Sequence, residues 1–73
     1  MNGQFKIRSY GYGELALLYF PNSTKKSASN QLRRWININE NLKNELKISG
    51  HKPGNKILTP KQVGVIISEI GLP

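Results

Sequence analysis

The chain contains no cysteine, a single histidine and no aspartate. Without cysteine there is no disulfide framework, and with one histidine no Cys/His zinc site can supplement the core. Its longest apolar run, LALLYF, is far short of the roughly 20 residues that cross a bilayer, and the opening MNGQFKIR lacks the apolar centre of a secretory signal. A cytoplasmic protein with no membrane partner is expected. Catalytic groups are equally scarce. Four scattered glutamates and His51, in a loop containing glycine and proline, form no carboxylate pair and no acid–base constellation. Gly11 and Gly13 lack the spacing and the lysine of a phosphate loop. The expectation is a non-enzyme with no cofactor and no metal, in which His51 is an exposed loop residue or a phosphate contact.

What is plentiful is positive charge: 11 Lys and Arg against 4 acids, a formal net charge of +7 and a pI near 10.1. A polyanion is the natural partner, although basic character also serves solubility, because net charge speaks to association and not to fold. The imbalance is concentrated early, with Lys6, Arg8, Lys25, Lys26, Arg33 and Arg34 facing only Glu14, while Glu40, Glu45 and Glu69 follow later. At 73 residues the chain is one domain. A chain of this size buries only about 60% of its extended surface.

Hydrophobic periodicity places the elements. In QFKIR, Phe5 and Ile7 alternate with Lys6 and Arg8, which predicts a short strand over residues 4–8 paired with residues 56–58. From Glu14 to Phe20 nearly every position is apolar, as in a short buried helix that ends before Pro21. With Gly13 as its cap, Tyr12 and Leu17 take the spacing of a hydrophobic staple, and Tyr10 is left as the one tyrosine open to ligand contact.

The segment 24–37 carries Ala28, Leu32, Trp35 and Ile36 on one stripe, with Lys26, Asn30, Arg33 and Asn37 opposite, so Trp35 is read as core. Ser23 or Thr24 can cap it. Asn39 opens a third helix in which Leu42 and Leu46 share a face, with Lys43 and Lys47 projecting beside it, and Gly50 closes it. In TPKQ, Thr59, Pro60 and Gln62 occupy the cap, first and third positions of a last helix whose stripe is Val63, Ile66, Ile67 and Ile70. Val65 falls off that stripe and is expected as an exposed apolar contact.

The predicted fold is therefore mainly α (α+β): four helices, the first two like a helix-turn-helix, with a minimal two-stranded sheet. A short buried helix, a turn of about four residues and an amphipathic helix with outward cations suit groove binding. Lys25, Lys26, Asn30, Arg33, Arg34 and Asn37 form the exposed set, and the loop HKPGNK adds Lys52 and Lys56 as a small wing. Cations would neutralise phosphates and Asn30 or an early Ser of that helix could address base edges. The same helix also fits a plain solvated face, or an adaptor surface for an acidic protein partner. RNA would call for exposed aromatics, for which only Tyr10 and Tyr12 are candidates, and the staple reading of Tyr12 narrows these to Tyr10. Oligomeric state is not readable.

Taken together, YGYGELALLYFP, SASNQLRRWI and LTPKQVGVII with its terminal GLP resemble the small Bacteroidota proteins of the domain-of-unknown-function family numbered forty-two forty-eight, over nearly the whole chain. That family's pattern ends in Gly-Glu-Pro where this chain has Gly71, Leu72 and Pro73. The resemblance implies a full-length single-domain cytoplasmic protein, commonly encoded beside a histone-like DNA-binding protein and often near cell-surface polysaccharide gene clusters. It carries no known activity, hence no functional residues to transfer. More loosely, ELA before a turn and a helix ending in RWI is similar to excisionase-like and MerR-like winged helix-turn-helix domains, an analogy that fixes no function.

Overall fold

The computed structural model describes residues 5–52 and 55–73. Gln4, at the head of the expected strand, and Pro53 and Gly54, in the expected wing, lie outside the described residues. Helices α1 (Tyr12–Tyr19), α2 (Lys25–Ile38), α3 (Glu40–Ile48) and α4 (Pro60–Ile70) accompany a two-stranded antiparallel sheet of β1 (Tyr10–Gly11) and β2 (Ile57–Leu58). This is the mainly helical architecture with a minimal sheet that the periodicity predicts. Among the described residues no helix is long and apolar enough to cross a membrane.

Side-chain caps start three of the helices where the sequence places them. Thr24 Oγ1 accepts from the Ser27 N–H at 3.1 Å, leaving Ser23 to accept from Gln31 Nε2. Asn39 Oδ1 accepts from the Leu42 N–H at 3.0 Å. At the other end of α3, Gly50 takes φ +95°. The His51 N–H then reaches Leu46 O and the Gly50 N–H reaches Lys47 O, the paired bonds of a Schellman termination.

At α4 the capping box closes reciprocally, Thr59 Oγ1 accepting from the Gln62 N–H at 3.2 Å and Gln62 Oε1 accepting from the Thr59 N–H at 3.0 Å. Gln62 is 3% exposed, and its Nε2 donates to Ser49 O, so one buried amide caps α4 and ties it to the end of α3. Thr59→Ala is expected to cost about 1 kcal/mol, lowering the melting temperature by roughly 4–8 °C. Thr59→Ser should melt near wild type in the same circular-dichroism scan.

Two boundaries differ from expectation. The first helix begins two residues early, with Gly11 as cap, because Glu14 sits at the third helical position and its Oε1 accepts from the Gly11 N–H at 3.1 Å. Glycine returns no side chain, so only half of a capping box exists. The Gly11 N–H and then the Arg8 guanidinium, 3.3 Å away, hold the Glu14 carboxyl below its usual pKa, so this cap persists until acid pH. Tyr10 thereby becomes the residue before the cap and Leu15 the fourth helical residue, both buried. The staple pair is Tyr10 and Leu15, in place of Tyr12 and Leu17.

The strand expected at residues 4–8 is instead β1, paired Tyr10 to Leu58 and Gly11 to Ile57 and extended by Tyr12 N–H to Lys56 O at 2.7 Å. Two apolar residues were too few to fix a register. Phe5 folds back to stack on Tyr10 at 5.4 Å, while Ile7 stays 57% exposed. Tyr10 supplies the larger buried side chain and wins the ladder.

One core joins Leu15 and Ala16 of α1, Ala28, Leu32 and Ile36 of α2, Leu42 and Leu46 of α3, Leu58 of β2, and Val63 and Ile66 of α4. Trp35 departs from its expected core position. It lies at the margin, partly exposed, with Phe20 and Tyr19 edge-on at 4.7 and 6.1 Å. Val65, expected outside, is half-buried and packs against the core, which removes the apolar contact offered for an adaptor role. Tyr19 Oη donates to Gly71 O at 2.6 Å and clips the C-terminal segment to α1.

Candidate nucleic-acid interface

An open groove of about 1520 Å³ runs between α2 on one side and α3 with the segment leading to β2 on the other. Its α2 wall carries Lys25, Lys26, Asn30, Arg33 and Asn37, residues at helical positions that share one face. Lys43 and Lys47, four apart on α3, and Lys52 and Lys56 line the rest. Seven of the chain's 11 cations thus meet in one concavity, and none of the four glutamates lines it. Clustering of one sign between low-dielectric walls focuses the field on whatever enters.

Of the eight residues proposed from sequence, the structure brings seven into the groove. Arg34 is the exception. It follows Arg33 by one position, about 100° further round the helix, and is exposed without lining the groove. Lys43 and Lys47 join the set, their i, i+4 spacing having placed them together without saying what they would face. Arg33 Nη1 donates to Asn30 Oδ1 at 3.1 Å, which steadies the guanidinium and occupies the oxygen that could have addressed a base.

The floor is made where α1 begins. Gly11, Tyr12 and Gly13 line it, together with the inner edges of Ile36 and Leu46. A Cβ at Gly13 would stand 2.7 Å from Lys25 Cγ, so glycine there lets the lysine stem lie across the first turn of α1. The Tyr12 and His51 rings lie with centroids 6.1 Å apart and planes 16° from parallel. The Arg33 guanidinium stands 5.9 Å over the Tyr12 ring. Burial raises the Tyr12 pKa, partly offset by Arg33, and burial lowers that of His51, which is therefore neutral at pH 7. His51 is half-buried, and its Nδ1 has no hydrogen-bond partner among the described residues.

The two tyrosines exchange the roles assigned from sequence. Tyr10 is 6% exposed, donates from Oη to Lys6 O at 2.9 Å and lies beneath the Arg8 guanidinium at 3.8 Å, so it faces the core. Tyr12 faces the groove. The pattern Gly11-Tyr12-Gly13-Glu14 held the signal, because a glutamate at the third helical position names the cap three residues before it.

A family model described as "Domain of unknown function (DUF4248)" matches residues 6–73. No curated protein and no solved structure matches the chain.

Proposed function

The chain belongs to that family of unknown function, and on that premise we propose that it is a cytoplasmic DNA-binding module of helix-turn-helix-like organisation, acting in transcriptional or recombination control. The observation that carries this is the convergence of cations from α2, α3 and the segment before β2 on one acid-free groove. Charges placed for solubility alone have no reason to gather seven of eleven in one concavity. In this scheme α1 backs α2, and the lysines and Arg33 take backbone phosphates, which fix position without reading sequence.

The test is a fluorescence-anisotropy titration with a labelled DNA duplex at several salt concentrations. Five phosphates engaged would give a slope of log affinity against log salt of about −4.5, since each contributes about −0.9. Absence of binding at micromolar protein and low salt would sink the proposal, and so would an affinity indifferent to salt. Arg33→Ala should weaken binding by about tenfold, a charged hydrogen bond being worth roughly 1.5–3 kcal/mol. Arg34→Ala should leave it nearly unchanged.

A further inference from the structure

Building on that DNA-binding role, we infer that the groove takes a single nucleic-acid strand, with a base stacked against the Tyr12–His51 pair and its phosphates held by the lysines of both walls. Three observations lead there. Cations from two helices line the same concavity, Lys26 and Arg33 on α2 and Lys43 and Lys47 on α3, so a ligand in it is held from both. A duplex could offer only one backbone edge to such a place.

Next, two stacked aromatic rings, Tyr12 and His51, are among the residues that line the groove. The Tyr12 and His51 rings stack 16° from parallel with centroids 6.1 Å apart, and the Arg33 guanidinium stands over the Tyr12 ring, so a base would extend this stack from its open end. Every base has a π face that can extend such a stack whatever its identity. The neutral state of His51 keeps its ring a stacking partner and leaves the charge to the lysines.

Last, Tyr12 is held in place from the backbone. Its N–H bonds Lys56 O at 2.7 Å, which anchors its main chain where α1 meets the sheet, and its ring already packs against the core and His51, so ordering it on binding costs little.

The experiment compares four labelled probes at equal salt: a 15-nucleotide dT strand, the same strand paired with dA, a 15-nucleotide abasic strand, and poly-glutamate. The dT strand should bind at least about tenfold tighter than the duplex or the abasic strand, as expected for one stacked base. Tyr12→Leu should bring dT down to the abasic level and leave duplex affinity unchanged. The abasic probe asks the same question of the wild-type protein, so a misfolded variant does not blunt the test. A duplex bound as well as dT, with Tyr12→Leu without effect, overturns the single-strand assignment and leaves DNA binding standing. Equal binding of dT, the abasic strand and poly-glutamate overturns it too, marking an unselective polyanion sink. Failure of all three nucleic-acid probes to bind at micromolar protein overturns both.

Discussion

Leu32→Ala is expected to destabilise the domain by about 3–4 kcal/mol and to lower its melting temperature by roughly 15–25 °C. Leu32 is fully buried in the stripe of α2, between Ala28 and Ile36 and against α1, the most extensive helix–helix packing in the molecule. Truncation removes the transfer energy of the lost carbons and opens a cavity that two short helices cannot close without strain. At roughly 0.05–0.15 kcal/mol per residue the whole domain holds only about 4–11 kcal/mol, so this one change consumes about a quarter of it or more. A urea melt should therefore shift the midpoint sharply with little change in slope. Leu18→Ala, the same deletion at a 44% exposed position of α1, should cost well under about 1 kcal/mol. Similar melts for the two variants would mean that the core is not centred on α2.

The same stripe explains which parts of the fold were legible in the sequence. The starts of α2, α3 and α4 are written in the side chains of Thr24, Asn39 and Thr59, each of which makes the bond its type predicts. Gly50 at φ +95° is written by the absence of a side chain. The start of α1 was hidden because its cap is a glycine and its only mark is Glu14, three residues on. That shift of two residues exchanged Tyr10 and Tyr12 between core and groove. The site was legible along α2, where one helix face fixes which cations travel together. It was not legible across α2 and α3, because the meeting of Arg33 with Lys43 and Lys47 depends on helix packing that no local pattern encodes. The sheet register was hidden for a related reason. Two-residue strands take their partners from whichever side chains the core has room to bury, here Tyr10 and Leu58.

Reversing two groove charges, Arg33→Glu with Lys43→Glu, is expected to weaken DNA binding by about a hundredfold or more at low salt, since two charged phosphate contacts at roughly 1.5–3 kcal/mol each are lost. Repulsion then works against whatever phosphates remain. The control is Arg34→Glu with Lys61→Glu, two exposed cations outside the groove. Both pairs lower the formal +7 by the same four charges. Binding governed by net charge would suffer equally from either pair, while binding in the groove should suffer from the first alone. Neither pair is placed to unfold the protein. Lys43 and Lys61 stand in the first turns of α3 and α4, where a glutamate is favoured by the helix dipole, and all four side chains are exposed. The salt dependence separates the two cases again. The groove variant should show a slope shallower by about 2, one for each phosphate contact removed, whereas the control should run parallel to wild type. Parallel lines for both pairs, displaced by the same amount, would mean that the convergence of cations on α2 and α3 is not where the polyanion sits.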